Sequence, residues 1–122
     1  MRQRVAIGRA FALNPRILLM DEPFGALDQL TRRAVGGVLL DMWWAKDRGP
    51  RKTVVFITHD TSEAVLLSDE VWVLSPRPCE VVAKVPVRLE RPRVKEMTTS
   101  PAFQAVVHEI DVALERSTKS GR

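Results

Sequence analysis

The chain has 122 residues and only one cysteine, Cys79, which excludes an internal disulfide and any zinc cage built from cysteines. That fits a reducing compartment. Long hydrophobic runs are also missing: no apolar stretch exceeds four residues, 17–20 being one. A membrane-spanning helix needs about 20 apolar residues, so no such span is expected. The opening Met-Arg-Gln-Arg-Val-Ala-Ile-Gly has no long apolar core and does not read as a secretory signal. Charge of one sign is scarce as well, since 19 Lys plus Arg against 15 Asp plus Glu leave a net +4. The densest basic stretch, Arg88, Arg91, Arg93 and Lys95, is broken by Glu90 and Pro92 and holds no aromatic. Nucleic-acid surfaces cluster more charge, often with stacking aromatics. The stretch therefore reads as a solvated loop, and no specific nucleic-acid partner is expected. At 45% hydrophobic and 28% charged the composition is globular rather than disordered. The length suggests one domain or part of one.

Apolar periodicity then sets the order of elements. Ile7, Ala10, Phe11 and Leu13 recur at near-helical spacing in a helix over 4–13, which Asn14-Pro15 stops. Residues 17–20 form a continuous apolar run, expected as a strand buried on both faces. It ends in Asp21 and Glu22. A long helical pattern over 27–48 carries the stripe Val35, Val38, Leu39, Met42 and Trp43. Gly36-Gly37 interrupts it, which predicts a kink or close packing. Trp44, next to Trp43, is expected half exposed. Residues 53–58 and 71–74 read as further strands, and 80–85 as a fourth, antiparallel and near an edge. Asp60 caps a short helix with Glu63 as its partner. Ser100 caps a final helix with Pro101 at its first position and a stripe of Phe103, Val106, Val107, Ile110 and Leu114. Residues 117–122 read as a frayed tail. The order α, β, α, β, α, β, β, α predicts an α/β fold, a parallel sheet with flanking helices.

In open parallel sheets ligands bind beyond the carboxyl ends of the strands. Here those ends carry Asp21-Glu22 and Thr58-His59-Asp60. A hard cation such as Mg²⁺ takes oxygen ligands and shares them with substrate phosphates. A second carboxylate can orient or deprotonate a water, and an imidazole can donate to a phosphate oxygen. The residue types point to metal-assisted chemistry on a phosphoryl group. Elsewhere, His108-Glu109 with Asp111 lacks a second His at helical spacing and reads as a solvated helix face. Cys79 reads as a small hydrophobe at a strand start.

Asp-Glu-Pro at 21–23, Gly-Ala-Leu-Asp at 25–28, a long helix and then a strand ending in Thr-His-Asp form a combination that resembles the ATP-binding subunit of ABC transporters. The resemblance covers nearly the whole chain and is strongest over 2–74. It implies a partial P-loop NTPase-type fold whose amino-terminal half is missing, with residues 1–95 in the ATPase core, 96–116 a carboxyl-terminal helix and 117–122 a tail. It implies ATP and Mg²⁺ as cofactors. Asp21 would hold Mg²⁺ through water, Glu22 would polarise the attacking water and His59 would contact the γ-phosphate. Asp28 would reach across a dimer interface, and Gln3, in the helix that follows the family's Ser-Gly-Gly signature, would join it in binding nucleotide. The implied partners are a second ATPase subunit and transmembrane permease subunits, at the cytoplasmic face of the membrane. Met-Asp-Glu-Pro-Phe-Gly-Ala-Leu-Asp, Glu63-Ala64-Val65 after Thr-His-Asp, and Ser-Pro-Arg-Pro at 75–78 are similar to importers for nitrate, sulfonates or taurine.

The chain departs from the family where phosphate is held. A P-loop needs Gly-x-x-x-x-Gly-Lys followed by Ser or Thr, and this chain has no Gly-Lys pair. Met1 is expected to be an internal methionine or the first residue of a truncated copy, and the chain on its own is expected to be inactive. Without the P-loop strand, its apolar strands are expected to leave an edge and a face unpaired. Two other functions stay open on sequence grounds: an ABC-type ATPase of DNA repair or chromosome organisation, and a non-catalytic fragment that pairs with an intact ATPase subunit.

Overall fold

The computed structural model describes residues 2–13, 15–44 and 52–120, and of these it gives no side-chain account at 2–4, 11, 42, 44 and 120. In chain order the elements are α1 (Arg2–Ala12), β1 (Ile17–Asp21), α2 (Gln29–Trp44), β2 (Thr53–Ile57), α3 (Thr61–Leu67), β3 (Glu70–Leu74), β4 (Val81–Pro86), a 3₁₀ turn (Lys95–Thr99) and α4 (Pro101–Ser120). The predicted order of helices and strands holds. The chain forms two compact units, Met1–His59 and Asp60–Arg122. No helix among the described residues is long and apolar enough to cross a membrane.

The first unit is built on β1 and β2, which pair in parallel with Ile17 opposite Thr53 and Asp21 opposite Ile57. Side chains alternate across a strand, and here the alternation separates a covered face from an open one. Leu18 is 7% exposed, while Ile17 and Leu19 are 63% and 73% exposed. Val55 and Ile57, opposite Leu19 and Asp21, are exposed on the same face. Burial on both faces, expected from the continuous apolar run, is therefore corrected: among the described residues only one face is covered. Ile7, Pro23, Phe24, Val35 and Leu39 are the other buried apolar side chains among the described residues of this unit. Leu13 lies past the end of α1 and is exposed, and Val38 is exposed on α2. Trp43 is half-buried, and its indole N–H donates to the Lys52 carbonyl at 2.8 Å. The side chains of Met42 and Trp44 lie outside the described residues.

Gly36 and Gly37 do not mark close packing. A Cβ built on either meets no atom within 4 Å, and α2 runs through both.

In the second unit β3 pairs antiparallel with β4 in a separate two-stranded sheet. The third strand thus joins the fourth and not the parallel pair. Val73 and Val85 from this sheet, Val65 from α3, and Phe103 and Ile110 from α4 form one core with Val87. Asp60 caps α3 as predicted, accepting from the Glu63 N–H at 3.0 Å. Ser100 caps α4, accepting from the Phe103 N–H at 3.3 Å. The helix continues to Ser120, and Ser117 is buried, so 117–120 are helical and not the frayed tail expected there. Leu114 is exposed. Asp111 is half-buried and accepts from the Thr61 hydroxyl at 2.8 Å, while His108 and Glu109 are exposed as predicted. Cys79 is exposed rather than packed.

The basic stretch is the largest correction. Arg93 is 5% exposed. Its Nη1 donates to the carbonyls of Val65, at 2.9 Å, and Ser68, and its Nη2 to those of Val87 and Leu89 at 3.1 and 3.2 Å. Arg91 donates to the Asp69 carboxylate at 2.9 and 3.1 Å and to the Leu67 carbonyl at 3.0 Å. These carbonyls belong to the end of α3 and the loop after β4, where helix and sheet leave acceptors unpaired. Guanidinium groups fill them, which no solvated loop would require. Burial, and then the charge of Arg91, push the Arg93 pKa down to about 10 against the opposing effect of Asp69.

Arg93→Ala would leave several buried carbonyls without a donor, at about 1–3 kcal/mol for each group left unpaired. Urea unfolding is expected to show a loss of about 3 kcal/mol or more, with Arg93→Lys recovering only part of it. Gly37→Ala, placed in open space on a helix, is expected to raise stability by about 0.5–1 kcal/mol. A lower urea midpoint for that variant would contradict the open space around Gly37.

Candidate functional site

The site grows from the register of the parallel pair. Asp21 is the last residue of β1 and sits opposite Ile57, the last of β2. The ladder then runs one residue further, with the Glu22 N–H donating to the Ile57 carbonyl at 2.8 Å. Glu22 has φ 43°, a left-handed conformation that costs an L-residue about 1–2 kcal/mol. This turn ends the strand and starts the loop to α2. His59 lies two residues beyond β2, and its Nδ1 is 3.0 Å from Glu22 Oε1. The side chains are 71% and 45% exposed. An exposed pair of this kind adds at most about 1 kcal/mol to stability, so the contact matters for orientation and not for holding the fold.

The loop folds back on the carboxylate. Gly25 N–H donates to the Glu22 carbonyl at 3.1 Å. A Cβ on Gly25 would stand 3.1 Å from Glu22 Oε2 and 3.4 Å from Glu22 O. A side chain at Gly25 would be tight against the Glu22 carboxylate, which would have to give by a few tenths of an ångström. Phe24 anchors the loop in the core at 1% exposed. Asp28 closes the loop by capping α2: its carboxylate accepts from the Thr31 N–H at 3.2 Å and from the Thr31 hydroxyl. The helix accordingly starts at Gln29. The Thr31 hydroxyl, and then the Thr31 N–H, hold the Asp28 carboxyl below its ordinary value. Arg32 Nε donates to the carbonyls of Phe24 and Leu27 at 2.9 and 3.1 Å, and its Nη2 to that of Gly25 at 3.3 Å.

The structure thus brings Glu22 and His59 together, with Asp21 directly before Glu22 at the end of the same strand. Asp28 stands at the other end of the loop, on the first turn of α2. Gln3 belongs to α1, but its side chain lies outside the described residues. Among the described residues no three His, Cys, Asp or Glu side chains converge on one point. Asp21 and Glu22 therefore cannot form a complete protein cage. The donor set does fit Mg²⁺, which binds through one or two carboxylates and takes its remaining ligands from water and phosphate. Sequence reading missed two features. The Asp28 cap could have been found from an Asp placed three residues before a helix-forming Thr. The Arg32 contacts leave no local signal.

Asp21, Glu22 and His59 thus stand at the carboxyl ends of two parallel strands, the place where open α/β sheets bind ligands. No family model matches the chain. An aliphatic sulfonates import ATP-binding protein of Bacillus subtilis is 43% identical over 106 residues, 87% of this chain and 39% of its own length. A taurine import ATP-binding protein of Rhizobium johnstonii is 45% identical over 119 residues, 93% of this chain and 44% of its own length. A Brucella melitensis protein, provisionally named as ATP-binding, is 50% identical over 106 residues, 87% of this chain and 43% of its own length. The chain is similar, at 43–54% identity, to ATP-binding proteins of ABC importers, and it spans about two fifths of the length of the curated relatives it matches.

The approach of Gly25 to Glu22 is open to test. Gly25→Ala is expected to displace the Glu22 carboxylate and move the His59 ring resonances to the positions they take in Glu22→Gln, with circular dichroism unchanged. Ring resonances that stay at their wild-type positions would reject it.

Proposed function

We propose that this chain carries the hydrolytic residues of an ATP-binding subunit that drives an ABC importer of small anions of the sulfonate, taurine or nitrate kind. The Glu22–His59 contact of 3.0 Å at the end of the parallel pair is the observation that carries the proposal. The names of the Bacillus and Rhizobium relatives support the choice of solute class. In this reading Glu22 polarises the attacking water, and Asp21 would hold Mg²⁺, which when bound would supply charge neutralisation at the phosphoryl group. His59 steadies the γ-phosphate. An imidazole that donates through Nδ1 to Glu22 and through Nε2 to a phosphate oxygen carries both protons. Asp28, its carboxyl held below the ordinary value by Thr31, faces a second ATPase subunit, and Gln3 joins it in binding nucleotide. The permease subunits and a location beneath the membrane belong to the same proposal. So does the place of residues 1–95 in the ATPase core.

These 122 residues contain no Gly-Lys pair and so supply no phosphate cradle of the P-loop kind. As a polypeptide of this length the chain is expected to show no Mg²⁺-dependent ATP turnover. A chimera that places the P-loop-bearing amino-terminal segment of the Bacillus subtilis relative ahead of Met1 is expected to hydrolyse ATP. Glu22→Gln in that chimera is expected to lower kcat at least about 100-fold with ATP still bound. A chimera that binds ATP and hydrolyses it equally well with Glu22→Gln would overturn the role given to Glu22.

A further inference from the structure

We infer that Arg32 is a positioning residue, one that holds the loop from Glu22 to Asp28 so that the Glu22 carboxylate stays against His59. Arg32 sits at the end of the first turn of α2 and is half-buried. Its backbone N–H donates to the Asp28 carbonyl at 2.9 Å, which joins it to the start of the helix. Its guanidinium turns back to the carbonyls of Phe24, Gly25 and Leu27. These three carbonyls belong to a segment outside helix and strand. A cation near the amino end of a helix opposes the helix dipole, so the charge is poorly placed for α2 itself. Its position suits the loop carbonyls.

The clamp reaches the site through Gly25. Gly25 is bonded to Arg32 through its carbonyl and to Glu22 through its N–H. The N–H bond to the Glu22 carbonyl ties the two residues at 3.1 Å, and a Cβ on Gly25 would stand 3.1 Å from Glu22 Oε2. Moving Gly25 therefore moves Glu22, and with it the Nδ1–Oε1 contact. The fork of a guanidinium meets several carbonyls at fixed angles, whereas the single ammonium of a lysine cannot. This assignment rests on the reading of Glu22 as the water-polarising group, but the clamp can be tested without it.

The test uses the full 122-residue chain with Arg32→Lys and Arg32→Gln. Amide exchange at Gly25 and Leu27 is expected to accelerate about tenfold or more, with the β2 amides within about twofold of wild type. The His59 ring resonances are expected to move to those of Glu22→Gln. Loop amides and ring resonances at wild-type values would overturn the clamp. Equal acceleration in β2 would also overturn it, because Arg32 would then serve general stability. If neither variant folds, Arg32 belongs to the core and the assignment fails. In the chimera, Arg32→Lys is expected to lower kcat about tenfold with KM for ATP unchanged. Faster loop exchange with an unchanged kcat would keep the clamp and reject the catalytic reading of Glu22.

Discussion

The parallel pairing of β1 with β2, in the register that sets Asp21 opposite Ile57, is the constraint on which the site depends. Strand side chains alternate, so a slip of one residue would exchange the two faces of β1. It would also carry the Glu22 N–H away from the Ile57 carbonyl. With that bond in place, the chain leaves β1 at Glu22 through a left-handed turn and leaves β2 two residues short of His59. Glu22 and His59 meet because both strands end at one level. Their side chains are too exposed to contribute much to the fold. The backbone ladder positions them.

Arginine plays one part three times. Arg32 gathers carbonyls of the loop after β1, and Arg91 and Arg93 gather carbonyls at the end of α3 and after β4. In each case the chain leaves acceptors that neither helix nor sheet can use, and a planar group with several donors satisfies them together. Two of the four basic residues of 88–95, Arg91 and Arg93, therefore serve the fold itself, while Arg88 and Lys95 are exposed. An anionic partner is not needed to explain Arg91 and Arg93. Arg93 pays for its burial with a lowered pKa and keeps its charge at neutral pH.

The two faces of β1 and β2 record a different constraint. Leu18 is covered while Ile17, Leu19, Val55 and Ile57 are open, so the described residues cover only one side of an apolar sheet. Large exposed apolar surface is unusual on an isolated soluble protein. Here it accompanies a chain that spans about two fifths of its relatives.

Sequence by itself determined what acts over a few residues. The order of helices and strands followed from period and from breakers such as Asn14-Pro15. The caps at Asp60 and Ser100 followed from residue type, as did the acids at the end of β1 and the imidazole after β2. Such signals are legible because a cap or a strand end is satisfied by neighbours three or four positions away. Tertiary structure decided the rest. Arg93 reads as a surface residue until Val65, 28 positions earlier, offers its carbonyl. The apolar run at 17–20 reads as wholly buried until one face lacks a cover. Gly36-Gly37 reads as a close approach until nothing approaches. The third strand reads as part of the parallel sheet until β4 takes it as an antiparallel partner. In each case the deciding partner is remote in sequence or belongs to a different element, and local pattern holds no information about it.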